Sequence, residues 1–303
     1  MTTNVRVMNK KRINLADSSF RLLMLLPAFI LLGVFMFYPI FETFRISLTR
    51  SSALAMGVYV GLQNYIKLFA DTDFQQGLLH VFQWAFWSII IQIPLSFFIA
   101  YSCANIKTKV TKSLKSIYYL GNVIPVTIIA LLSNFILMPS SGAIITFSQL
   151  MGWKNLAGID FIGNSNIAFW TVFVVATWAY IGFGIVYLMA NIEQIPSELI
   201  EAAMIDGANR WQIVRFVVIP QISYSVRILA LLSAVGSIKL FDLPWLMETG
   251  GPGNATTTLA IELYKQGFIN LQYGKGAAIG VVIFIISLIF TIVQFSIQRK
   301  NQD

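Results

Sequence analysis

Long apolar runs separated by short polar stretches dominate the chain. A membrane-crossing helix needs about 20 mostly apolar residues, because roughly 30 Å of hydrocarbon is crossed at about 1.5 Å per residue. Leu22–Phe41 carries no charge, and neither do Phe74–Ile106, Ser116–Trp153, Ile167–Ile192 and Gly276–Gln298. The third run is too long for one crossing, and Pro139-Ser140-Ser141-Gly142 inside it is a turn signal. Ser223–Met247 is apolar but holds Arg227, Lys239 and Asp242. The pattern predicts an all-α polytopic membrane protein with six transmembrane helices, at about 22–44, 81–104, 117–138, 167–190, 223–247 and 276–298. These form a transmembrane domain over 21–298, with tails at 1–20 and 299–303 and a loop at 191–222 between spans four and five.

Basic residues set the orientation, because they are retained on the cytoplasmic side. Arg6, Lys10, Lys11, Arg12 and Arg21 precede the first span. Lys107, Lys109, Lys112 and Lys115 follow the second, Arg210 and Arg215 the fourth, and Arg299 and Lys300 the sixth. The intervening outer loops are sparser in charge. Both termini are therefore expected in the cytoplasm. The first run outlasts a signal-peptide core and no small-residue cleavage site follows, so it reads as a retained helix.

Composition narrows the function. Hydrophobic residues make up 57% and charged residues 11%, against about 25% charged in soluble domains. An ordinary soluble enzyme, a disordered chain and a coiled coil are excluded. The net charge of +8 follows from membrane topology, and no nucleic-acid partner is expected. One Cys (Cys103) and one His (His80) leave no intrachain disulfide and no zinc set. Cys103 reads as a small apolar residue and His80 as an interfacial one. No GxxxxGK[ST] loop is present; Gly250-Gly251-Pro252-Gly253 has no Lys to reach a phosphate. No catalytic residue and no metal site are expected.

Residues 191–222 differ from the rest. Pro196 breaks the preceding helix, Ser197 suits an N-cap, and Glu198 and Glu201 place negative charge in a first turn. A short helix over 198–206 follows, ended by Gly207 in the left-handed position. Asn209 caps a second helix over 210–219, which stops at Pro220. A nine-residue helix is marginal alone. Its acids Glu198, Glu201 and Asp206, with no basic residue, suit a protein socket better than anionic headgroups.

Glu201-Ala202-Ala203, three residues, Gly207, nine residues, then Val217-x-Ile219-Pro220 resembles the EAA loop of ABC-importer permeases. Val217 and Ile219 replace other apolar residues of that pattern. EAAMIDGANRWQIVRFVVIP is especially similar to the maltose-type, MetI-like carbohydrate-uptake branch. Gly61-Leu62-Gln63-Asn64-Tyr65 and Gly250-Gly251-Pro252 with the Thr-rich stretch after it look like the same branch. The resemblance covers about residues 20–298. It implies a permease in a bacterial plasma (inner) membrane that pairs with a second homologous permease. It further implies two ATPase subunits, which hold ATP and Mg, and an extracytoplasmic substrate-binding protein. No cofactor is implied on this chain itself. The cytoplasmic EAA helix would couple to the ATPase through Glu201, Ala202, Ala203, Asp206, Gly207 and Pro220.

Polar groups inside spans usually face a bundle interior or a water path. Lys239 and Asp242, three apart, are expected on one face of span five, as a structural pair or as cavity lining. Trp178, Tyr180, Phe183 and Tyr187 offer aromatic faces, either to a sugar ring or to core and lipid. Asn122 offers an amide, and Ser233 and Ser237 share a helix face. The resemblance places sugar-contacting positions at or near Asn122, Tyr180, Phe183, Ser233, Ser237 and Leu240. Cargo other than sugar, such as a glycerol phosphodiester, stays open through Lys239. An ATP-independent secondary transporter is the remaining alternative.

Overall fold

The computed structural model describes residues 15–52, 55–104, 117–139, 141–153 and 159–300. The basic stretch Lys107–Lys115, Arg6 to Arg12, Lys154 and the last three residues lie outside them. Helix α1 (Leu15–Leu32) continues through a π-helical turn, Gly33–Phe37, into α2 (Tyr38–Ser47). A hairpin of β1 (Thr49–Ser52) and antiparallel β2 (Ala55–Tyr59) leads to α3 (Gln63–Phe69). Next come α4 (Thr72–Trp87), a π-helical turn Ser88–Gln92, and α5 (Ile93–Ala104). Then follow α6 (Ile117–Val123), α7 (Val126–Leu137), α8 (Ala143–Leu150) and α9 (Ser165–Ile192). On the far side of α9 lie α10 (Ser197–Ile205), α11 (Arg210–Ile213), a π-helical turn Val214–Val218 and α12 (Ile219–Ile238). The chain closes with α13 (Asp242–Glu248), α14 (Leu259–Tyr264), a π-helical turn Lys265–Ile269 and α15 (Tyr273–Lys300).

Five helical stretches of the described residues are long and apolar enough to cross a membrane: Leu23–Ser47, Thr72–Ala104, Ser165–Ile192, Arg210–Ile238 and Tyr273–Ser296. The bent pair α6 and α7 makes a sixth, with a 103° break. The straight helix expected over 117–138 is thus corrected. Pro125 has no N–H to give and drives the residue before it out of helical backbone. Its own ψ is 132°, and the helix restarts by accepting Ile128 and Ile129 N–H at the Pro125 carbonyl.

Span five is corrected at both ends. Pro220 does not stop a helix: it sits in the first turn of α12, directly after a π-helical turn, and the helical stretch runs through it. The helix runs from Arg210 and ends at Ile238, well short of 247. In an unbroken helix the Leu240 carbonyl would accept from residue 244, but Pro244 has no N–H. The Thr258 hydroxyl donates to that carbonyl instead, at 2.6 Å. The chain turns at Lys239–Phe241 and restarts as α13. Lys239 and Asp242 therefore flank a break and do not share a helix face.

In lipid, burying apolar side chains does not by itself drive helices together, and close packing does. Helix α9 is the centre of that packing. Its buried face carries small residues, Ala168, Ala176, Ala179, Gly182 and Gly184, alongside Val172, Ile185, Leu188 and Met189. A Cβ on Gly182 would run into the Tyr118 carbonyl of α6, and one on Gly184 would sit 2.7 Å from Ser96 Oγ of α5. One apolar core joins α4, α7, α9 and α13; a second joins α5, α9 and α12. A third, at the other side of α12, joins it to α4, α14 and α15. Cys103 is buried in the second core. By contrast Leu23–Ser47 is exposed along its length except near Ser47.

Two sequence motifs brace the end of the bundle that carries the hairpin. Asn64 donates from Nδ2 to the carbonyls of Ser47 (2.7 Å) and Thr49 (2.9 Å), and Tyr65 Oη meets Ser47 Oγ at 2.7 Å. Gly250 (φ +89°) opens a turn closed by Thr257 Oγ1 donating to its carbonyl at 3.0 Å, while Thr256 Oγ1 donates to Gly251. The same loop is tied to α4, by Asn254 donating to Asp73 at 2.7 Å and by His80 Nδ1 against the Thr257 carbonyl at 2.8 Å. Asp71 caps α4 and pairs with Lys275 at 2.6 Å. Partial burial pushes its carboxyl up, but Lys275 and the N–H groups of Asp73 and Phe74 outweigh that and hold it below the usual range.

Candidate functional site

The break at Lys239–Phe241, the α6–α7 bend and the π-helical turn after α4 border one cavity of about 380 Å³. That falls at the small end of the roughly 300–1,000 Å³ common for small-molecule sites. Helix α9 contributes Tyr180 and Phe183, and α6 contributes Asn122 beside the bend. Helix α12 contributes Ser233 and Ser237 one turn apart, and the break adds Lys239, Leu240 and Asp242. The structure therefore brings all of these expected residues to one place. Trp178 is not among them: it lies about 200° around α9 from Tyr180 and is 56% exposed. Tyr187 stacks on Phe183 at 6.0 Å, outside the lining.

The cavity is chemically mixed. Aromatic faces offer stacking surface, and hydroxyls and an amide offer hydrogen bonds. Among the described residues no ion pair joins Lys239 to Asp242, and both are exposed to the cavity. One wall was not read from the sequence: Trp84, Ser88, Gln92 and Ser96, on α4, its π-helical turn and α5. A signal existed, since Ser88, Gln92 and Ser96 recur every four residues inside a charge-free run.

The second candidate surface is α10 with the turn after it. Glu201, Ala202 and Asp206 are exposed and Ala203 is half-buried against the second core. Ser197 is the first helical residue and makes no cap; Pro196 occupies the N-cap. The far end behaves as expected: Gly207 has φ +82°. Its N–H reaches the Met204 carbonyl at 3.1 Å and Ala208 N–H the Ala203 carbonyl at 2.9 Å, a Schellman closure. Asn209 and Gln212 cap α11 reciprocally. No residue of α10 is buried, and Ile205 is 86% exposed. An apolar tip ringed by acids is thus held out on a rigid turn, and Pro220 stands at the foot of α12 behind it.

Away from both, Glu248 ends α13. Burial, helped by the Asp160 carboxylate, pushes its carboxyl up to about 8. Neither of its oxygens meets a hydrogen-bond partner among the described residues.

The family model described as "Binding-protein-dependent transport system inner membrane component" matches residues 92–302. The chain is 30% identical over 286 residues to the probable ABC transporter permease protein YurN of Bacillus subtilis, covering 93% of this chain and 96% of that one. It is 27% identical to the trehalose/maltose transport system permease protein MalF of Thermococcus litoralis, over 93% of this chain and 94% of that one. Among solved structures, a bacterial ABC transporter involved in the import of the acidic polysaccharide alginate superposes with a TM-score of 0.84. It is 20% identical, over 94% of this chain and 97% of that chain.

Proposed function

The chain belongs to the family of binding-protein-dependent transport system inner membrane components, and from that premise we propose that its cavity passes a sugar or short oligosaccharide. As a member of that family it is an ABC importer permease, a transport subunit served by separate ATPase subunits and a periplasmic binding protein. The membership replaces the ATP-independent reading. The observation that carries the sugar reading is the convergence of Asn122, Tyr180, Phe183, Ser233 and Ser237 on one small cavity. Aromatic rings pack against the CH-rich faces of sugar rings while hydroxyls and amides take up sugar hydroxyls. Lys239 and Asp242 offset each other there, which favours neutral cargo over a phosphodiester.

The same reading assigns α10 to the ATPase. Its acids and exposed Ile205 fit a socket of basic and apolar character, with Glu201 opposite a cation. ATP and Mg reside on the ATPase pair, and this chain holds no cofactor. Closure of that pair would move α10 and, through α11 and α12, the Ser233–Asp242 wall. The second permease subunit is supported by the exposed first span, which leaves a long apolar face uncovered. Both termini lie in the cytoplasm, so that α10 meets the ATPase and the hairpin end meets the binding protein. Uptake of radiolabelled maltose and trehalose into proteoliposomes holding the complete complex tests the reading. ATP- and binding-protein-dependent accumulation is expected. Accumulation of glycerol phosphodiesters and of no sugar would overturn it.

A further inference from the structure

The wall formed by α4, its π-helical turn and α5 carries polar groups whose hydrogen bonds are incomplete. Ser88 is 4% exposed and its hydroxyl makes no hydrogen bond among the described residues, yet it lines the cavity. Gln92 spends its amide N–H on Thr177 Oγ1 at 3.0 Å. No group among the described residues donates to its Oε1. Trp84, on the same wall, is 3% exposed, and its indole N–H is buried with no acceptor among the described residues. Its ring is held by Phe169 and Phe173, at 5.4 and 5.1 Å between centroids. The buried Trp84 N–H costs stability unless a partner arrives, while Ser88 and Gln92 present their free groups to the cavity. The π-helical turn Ser88–Gln92 inserts an extra residue where the helix passes the cavity, a feature common at functional sites.

We propose that this wall selects the cargo, Ser88 and Gln92 hydrogen-bonding the hydroxyls of a neutral saccharide that lies against Tyr180 and Phe183. The chemistry of the free groups sets the class. With its N–H on Thr177, Gln92 offers Oε1, which accepts a hydrogen bond from a hydroxyl and repels a phosphate or carboxylate oxygen. Ser88 gives or takes, as a sugar hydroxyl requires. The aromatic side of the cavity fixes the ring plane, and this side distinguishes which hydroxyls are present.

The inference rests on the sugar reading, and the test separates the two. The complete complex with saturating binding protein is assayed in proteoliposomes for maltose, trehalose and arabinotriose, and for monodeoxy analogues of whichever enters. The binding protein is the same in every arm, so differences between variants belong to this chain. Wild type is expected to prefer the parent sugar over at least one deoxy analogue, and Ser88→Ala and Gln92→Leu to lower that preference roughly tenfold. Trp84→Phe removes the indole N–H together with part of the ring packed on Phe169 and Phe173; it is expected to lower the preference by a smaller factor. Binding-protein-stimulated ATP hydrolysis is followed in parallel, to separate selection of cargo from coupling. If uptake and hydrolysis fall together while the preference is unchanged, the wall is structural and the inference is overturned. An unchanged preference with normal uptake overturns it equally, and leaves the sugar reading standing. Uptake of none of the three sugars by wild type overturns the sugar reading and the inference with it.

Discussion

Glu248 and Thr258 each hold a local state that a single substitution can expose. The folded chain keeps the Glu248 proton to about pH 8, whereas an unfolded glutamate releases it near 4.5. Between those values the native state binds more protons than the unfolded one. Stability is therefore greatest at the acid end and falls as pH rises from about 4.5 to about 8. In thermal melts of the detergent-solubilised protein, Glu248→Gln is expected to flatten that decline. Parallel pH profiles for the two proteins would contradict it. Thr258 works through geometry: its hydroxyl donates to the Leu240 carbonyl and accepts the Ile261 N–H at 3.3 Å. Thr258→Val should cost about 1–3 kcal/mol by stranding a buried carbonyl and removing a cap, with Thr258→Ser restoring most of it. Neither role is legible in the sequence, because both depend on partners that only the folded chain brings together.

Helices α9, α10 and α12 show what a linear pattern can and cannot reveal. The Gly207 turn and the Asn209 cap were readable because their causes are local: a positive φ and a side chain reaching three residues along. The three prolines were harder. Pro125, Pro220 and Pro244 look alike in sequence, yet one bends a span by 103°, one opens a helix and one follows a break. The difference lies in their surroundings: Pro220 follows a π-helical turn, and the Leu240 carbonyl ahead of Pro244 is met by the distant Thr258 hydroxyl. On α9, Gly182→Ala should destabilise the bundle by about 1–3 kcal/mol, because the new methyl meets the Tyr118 carbonyl; a melting temperature equal to wild type would show that α6 can retreat. On α10, Gly207→Asp and Glu201→Lys should leave the chain in the membrane with the ATPase bound or hydrolysing, but cut uptake at least tenfold. Normal uptake by both would remove the coupling role.

The whole molecule joins a small cavity of mixed chemistry to an exposed helix through one continuous element, α11 to α12. The number of spans and the cavity residues on α6, α9 and α12 could be read from apolar runs, polar intruders and family resemblance. The wall of Trp84, Ser88 and Gln92 went unread although Ser88, Gln92 and Ser96 recur every four residues, because absence of charge drew no attention to the polar side of that run. The break after Ile238 was hidden because apolar residues continue past it. Coupling of hydrolysis to transport requires α10 to enter a socket on the ATPase. The direct measurement places a cysteine at Ile205, in a Cys103→Ser background, attaches a thiol-specific photocrosslinker before the ATPase is added, and irradiates the assembled complex. A crosslink to the ATPase subunit, with Ile205→Cys shielded from a water-soluble maleimide, is the expected result. Full maleimide labelling in the assembled complex, with no crosslink formed, would contradict it.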